Sequence, residues 1–180
     1  PLRLMIDLAE NAAIMALVEE SGRAPGAEEV AARAEVGLRS VFRHFKDMES
    51  LFAEMTVRVT SQYQDALAPM QATDWQGRLI EGLERRHAIY ERLMPFRRAS
   101  DAYRQHSTVI QDYHERLVEL LRARLEAHLP ESVRADAARL ESLDLVLSFE
   151  CYERLRYDQH LDPARSTAVI RRLVDGLIAA

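Results

Sequence analysis

"AEVGLRSVFRHFKDMESLF", residues 34–52, is the stretch on which the reading of this chain turns. Arg39, Arg43 and Lys46 stand in it with no acid between Glu35 and Asp47. The chain as a whole is acidic, with 29 Asp and Glu against 24 Lys and Arg and a net charge of −5. A short positive island in such a chain asks for a reason. Val41 and Phe45 are one helical turn apart, and so are Arg39 and Arg43. A helix from about Leu38 to Phe45 turns the first pair inward and the second outward, with Lys46 one step further round.

Working outward, Glu28 to Ala34 predicts another short helix. Glu28 and Glu29 favour its N-terminal dipole. Val30 and Ala34 share its inner face, and Ala31 is small enough for close approach. Glu35, Val36 and Gly37 make a tight connection. Two short helices joined by such a turn, the second exposing basic residues, describe a helix-turn-helix. An α-helix fits the major groove of B-DNA, arginine bridges a guanine edge or clamps a phosphate, and Ser40 can hydrogen-bond either. Acids must stay off that surface because phosphates repel them. Taken alone, the island also reads as a solvated basic face without a partner. The small and apolar residues Val30, Ala31, Ala34, Val36 and Val41, placed where a helix-turn-helix packs, favour the first reading.

Composition sets the frame. The chain has 180 residues, enough for a sizeable core. Hydrophobic residues make up 48%, which excludes a disordered chain. Gly and Pro number 6 each, too few for a loop-rich or all-β protein, and strong helix formers dominate. An all-α protein of about nine helices is expected. A single cysteine, Cys151, permits no internal disulfide and no cysteine-based zinc cluster, and a reducing cytoplasm is the natural setting. No apolar run approaches the ~18 residues of a membrane span, so no membrane partner is expected, and no signal peptide is visible. The net charge argues against coating nucleic acid through bulk charge and leaves room for a local binding surface.

Apolar periodicity predicts the remaining elements. Leu4, Leu8, Met15 and Val18 mark a first helix that stops near Gly22. Asp47 is an N-cap for a fourth helix lined by Leu51, Met55 and Val59 and bounded by Pro69. Thr73 or Asp74 caps a fifth, lined by Leu79, Leu83, Ile89 and Leu93, which Pro95 ends or kinks. A short sixth segment starts at Phe96. A seventh runs through Val109, Leu117, Leu121 and Leu125 to Pro130. Leu140, Leu143, Leu147, Cys151 and Leu155 mark an eighth. Asp162 caps the last, with Pro163 in its first turn. Three helices before residue 46 and about six after it divide the chain into parts of different size, residues 1–46 and 47–180.

"EEVAARAEVGLRSVFRHFKDMESLF" resembles the DNA-binding segment of tetracycline-repressor (TetR) family transcriptional regulators. The resemblance rests on Glu29-Val30-Ala31, Ala34-Glu35-Val36-Gly37, Ser40-Val41-Phe42, Arg43-His44-Phe45 and Met48-Glu49-Ser50-Leu51, with "LVEESG", Leu17 to Gly22, as the end of the first helix. It covers about a quarter of the chain. It implies DNA contacts from Arg39, Ser40, Phe42, Arg43, His44 and Lys46 on a double-stranded operator. Four positions depart from the family pattern. Glu35 stands where the turn usually has Gly, and a non-Gly residue in a left-handed conformation costs roughly 1 kcal/mol. Gly37 replaces a Ser cap. Phe42 replaces a Tyr, and Met48 a Lys, that typically reach phosphate.

For residues 47–180 the resemblance implies a ligand-binding and dimerisation domain. The last two helices carry broad apolar stripes that a dimeric four-helix bundle would cover, giving a homodimer through those helices. A pocket for a small-molecule effector, aromatic or amphipathic, is expected among Trp75, His87, Tyr90, Met94, Phe96, Tyr103, Tyr113, Phe149, Cys151 and Tyr152, because aromatics with a polar tip suit an apolar pocket needing a few directional contacts. Any one of them is equally readable as ordinary core. The expected function is a ligand-responsive DNA-binding transcriptional regulator, a repressor acting on a palindromic operator, with no cofactor and no catalytic or metal residues. Two alternatives stand beside it. One is a dimeric helical interaction protein with weakened or lost DNA binding. The other is a metal-dependent helical-bundle enzyme, for which Glu84-Arg85-Arg86-His87 offers one Glu-x-x-His but no second copy.

Overall fold

The computed structural model describes residues 2–44, 68–105 and 107–179. Among them every regular element is helical. In chain order these are α1 (Leu2–Ser21), α2 (Ala27–Arg33), α3 (Leu38–His44), α4 (Trp75–Arg104), α5 (Thr108–His128), α6 (Glu131–Arg134), α7 (Ala137–Val146), α8 (Phe149–Glu153) and α9 (Pro163–Ala179), with a π-helical turn at Arg154–Asp158 after α8. The all-α expectation holds. The expected fourth helix, Lys46 and Met48 fall outside the described residues.

Local signals set most of the ends. Gly22 takes φ +62 after α1, and its N–H reaches the Val18 carbonyl at 2.8 Å. That is the left-handed cap glycine accepts without strain. Asp74 caps α4, its carboxylate accepting from Gly77 N–H at 2.6 Å. Asp162 caps α9 in the same way, accepting from Arg165 N–H at 2.9 Å, with Pro163 in first place.

Two expectations are corrected, and one element is new. Pro95 lies inside α4 and does not end it, so no separate segment begins at Phe96. Proline lacks an N–H and costs a helix interior about 3 kcal/mol. Met94, Phe96 and Ala99 around it are buried, and each large apolar side chain so placed returns roughly 1.5–3 kcal/mol. Packing therefore outweighs the break. The expected eighth helix is interrupted: Leu147 leaves helical geometry, and Ser148 starts α8 by accepting from Cys151 N–H at 3.2 Å. A serine that can bond its own backbone competes with helix continuation. The short α6 after Pro130 was not anticipated.

The chain divides into two compact units. The first comprises Pro1–Tyr63 and Leu93–His114, the second Gln64–Arg92 and Glu115–Ala180. In the first, Ile14 and Val18 of α1, Val30 and Ala31 of α2 and Val41 of α3 form one buried cluster with Phe96, Ala99 and Ile110. In the second, Leu83, Leu143, Leu147, Tyr152, Ile170 and Val174 are at most 2% exposed and make the centre.

Candidate functional site

The first unit builds its surface from the α2–α3 pair. Gly26 opens α2 with its N–H held by the Glu29 carboxylate at 2.8 Å. Arg23 also binds Glu29, at 3.0 Å from Nη1 to Oε2. The Arg23 bond first, then the Gly26 N–H, hold the Glu29 carboxyl down at about 2. Arg33 of α2 pairs with Glu20 of α1, Nη1 to Oε2 at 3.1 Å. These two exposed ion pairs set helix orientation more than stability.

The turn is a Schellman motif. Val36 N–H reaches the Ala31 carbonyl at 3.0 Å, and Glu35 N–H reaches Ala32 at 3.4 Å. Glu35 occupies the left-handed position with φ +54. The departure noted in the sequence thus leaves the turn type intact and makes it strained, since a side chain there costs roughly 1–2 kcal/mol. Val36 then packs against the cluster containing Ala31, the apolar contact that accompanies this motif. Gly37 precedes α3, and Ser40 N–H bonds its carbonyl at 2.7 Å.

On α3, Val41 is buried and anchors the helix. Arg39 and Arg43 are exposed on its other side, Ser40 is half-buried, and Phe42 is 60% exposed. Arg43 Nη2 donates to Ser40 Oγ at 3.3 Å, so these two share one turn of surface. Among the described residues neither Arg39 nor Arg43 forms an ion pair. Arg23 and Arg33 of the same unit are both neutralised. Among the described residues the arginines of this unit thus fall into two kinds, those in ion pairs and those exposed without one. His44 closes α3, but its side chain lies outside the described ones, as does Lys46.

The residues expected to line an effector pocket are divided between the two units. His87, Tyr90, Phe149 and Tyr152 do meet in the second unit. His87 stacks on Tyr152 with centroids 4.2 Å apart, and Tyr90 meets Phe149 edge-on at 5.3 Å. Tyr90 Oη donates to the Leu147 carbonyl at 3.0 Å, and His87 Nδ1 lies 2.9 Å from Thr167 Oγ1. All four rings are buried, as core. Burial first, then Arg86, lower the His87 pKa to about 4, with Glu91 opposing. Burial, then Glu91, push the Tyr152 hydroxyl up. Cys151 is half-buried beside them, and burial pushes its thiol up. Trp75 is half-buried in the first turn of α4. Met94, Phe96 and Tyr113 belong to the first unit, where Phe96 sits in the helix-turn-helix core. The side chain of Tyr103 lies outside the described ones.

A cavity of about 60 Å3 does exist in the second unit, but its lining differs from the expected one. Leu79, Leu83, Ile89, Leu125 and Leu147 supply apolar wall. Arg78, Arg85, Arg86, Arg124 and His128 supply the basic groups. Sequence reading missed these arginines. Arg85 and Arg86 drew notice only as the middle of Glu-x-x-His, and nothing local ties them to Arg124. That Glu-x-x-His does not face one centre. Glu84 is exposed and accepts from Arg171 at 3.2 Å, while His87 is buried against Thr167. Among the described residues no group of three or more His, Cys, Asp or Glu is placed to hold a metal ion. Nor is any helix among them long and apolar enough to cross a membrane.

Residues 11–55 match the family model of bacterial regulatory proteins, tetR family. Comparison with curated proteins and with solved structures returned no match. The matched segment spans the end of α1, α2, the strained turn and α3, the elements that present Arg39 and Arg43.

Proposed function

We propose that this chain, whose residues 11–55 match the tetR-family model, is a DNA-binding transcriptional regulator that works as a homodimeric, effector-responsive repressor on a palindromic operator. The observation that carries the reading is the exposed face of α3, with Arg39 and Arg43 unpaired among the described residues and Ser40 bonded to Arg43. In this reading α3 enters the major groove. Arg39, Ser40, Arg43 and His44 reach base edges or phosphates, Phe42 contributes apolar contact, and Lys46 holds phosphate. Residues 1–46 serve DNA binding and residues 47–180 effector binding and pairing.

Pairing is supported by apolar side chains left outside on α7 and α9. Leu145 is 67% exposed, Leu173 48% and Val169 39%. Arg139 of α7 donates to the Leu177 and Ile178 carbonyls of α9, both at 2.6 Å, so the two helices present one surface. A second copy covers it, and two-fold symmetry then matches two half-sites of the operator. The effector acts by population shift: it binds better to the dimer geometry whose recognition helices mismatch the half-site spacing.

The test is binding to a palindromic duplex obtained by selection from genomic DNA, followed by fluorescence anisotropy. Affinity is expected to fall steeply with salt. Arg43→Ala is expected to weaken it by about 1–3 kcal/mol, roughly five- to 150-fold. Binding insensitive to salt, or no binding to any selected duplex, refutes the operator reading and leaves a dimeric interaction protein.

A further inference from the structure

Arginine side chains border the mostly apolar cavity of the second unit. Four arginines and one histidine line it, with no carboxylate among the described lining residues. Glu81 lies nearby and pairs with Arg85, while also accepting from the Gln71 and Ala72 N–H groups. Arg86 donates to the backbone carbonyls of Leu121, at 2.6 Å, and Leu147, at 3.4 Å. Arg78 Nη1 donates to the Thr73 carbonyl at 3.2 Å, and its buried Nε has no hydrogen-bond partner among the described residues. Buried polar groups are seldom left so. Burial first, then Arg86 and Arg85, lower the Arg124 pKa. Burial, then Arg124 and Arg78, lower that of His128, with Glu81 opposing. Like charges crowd here at a standing electrostatic penalty.

We propose that this cavity binds a small organic anion, a carboxylate or similar oxyanion on a short apolar body, and that this anion is the effector. An oxyanion relieves the repulsion among the arginines, and guanidinium forks match it in two-pronged geometry. The leucine and isoleucine wall takes the apolar body. Size sets the limit. With roughly 10–15 Å3 for each water, a cavity of about 60 Å3 corresponds to some four to six waters. That suits a head group with a few carbons and excludes a long chain. The proposal rests on the effector-responsive reading above.

Calorimetry on the full chain tests it, with hexanoate and benzoate, their neutral amides, and inorganic phosphate as probes. At least one carboxylate is expected to bind tenfold or more tightly than its amide and than phosphate. Arg124→Gln and Arg78→Gln are each expected to remove that preference, and the acid-against-amide comparison on the unaltered chain stands even if a variant fails to fold. Equal binding of acid and amide, no carboxylate binding, or phosphate binding as tightly as the carboxylates overturns the proposal. Duplex binding is measured on the same sample with and without carboxylate. A duplex bound with no carboxylate affinity removes the cavity assignment alone. Carboxylate affinity with no duplex binding removes the regulator reading, and the effector role with it, and leaves the cavity assignment standing. A carboxylate that binds and leaves duplex affinity unchanged overturns the effector role.

Discussion

Arg39 and Arg43 stand exposed on α3, while Arg86 lies half-buried on α4 with its guanidinium spread between two backbone carbonyls. One residue type thus plays two parts in one acidic chain. On α3 Val41 is buried, and among the described residues Arg39 and Arg43 form no ion pair. In the second unit Arg86 donates to a carbonyl in the middle of α5 and to one at the α7–α8 break. The difference teaches that arginine in this chain is read by its partners and not by its position in a charge pattern.

The comparison breaks most sharply by truncation. Arg86→Ala is expected to destabilise the chain by about 2–3 kcal/mol in urea unfolding, because the Leu121 and Leu147 carbonyls lose a charged donor. Arg39→Ala is expected to stay within about 0.5 kcal/mol of the parent in the same assay while weakening duplex binding. Equal stability losses for the two would end the distinction.

A second test uses pH. The His87 pKa sits near 4, below its ordinary 6.5, because the ring is buried. As pH falls the unfolded chain takes the proton first, so the stabilisation present above pH 6.5 is lost between 6.5 and 4. By pH 5 the loss from this residue is about 2 kcal/mol. His87→Gln is expected to shrink the difference in unfolding free energy between pH 7 and pH 5 by that amount. An unchanged difference would show that the ring is solvated.

The smallest effect concerns the turn. Glu35→Gly relieves the left-handed backbone at φ +54 and is expected to stabilise the chain by about 1 kcal/mol, less the greater freedom of glycine when unfolded. It also removes an acid next to the DNA-facing helix, so duplex affinity is expected to rise modestly. A destabilised variant would mean that the Glu35 side chain makes a compensating contact.

Much of the first unit was legible from residues alone. Gly22, the α2 and α3 boundaries, the inward turn of Val30 and Val41 and the strain at Glu35 all follow from neighbours within a few positions. The caps at Asp74 and Asp162 were legible for the same reason. The packing of the second unit was not. The aromatic residues chosen for an effector pocket were selected by side-chain type, and packing sent four into one buried cluster and Phe96 into the other unit's core.

What the amino-acid order settled by itself is therefore local: helical class, most helix ends, and a basic face on a helix-turn-helix, since capping and periodicity act over one or two turns of chain. What only the tertiary structure decided is long-range. Passage through Pro95, the break at Ser148 and the gathering of Arg78, Arg86 and Arg124 around one cavity depend on residues far apart in the chain, 61 positions between Arg86 and Leu147. Buried apolar area and side-chain contacts between helices set those outcomes, and neither exists until the helices pack.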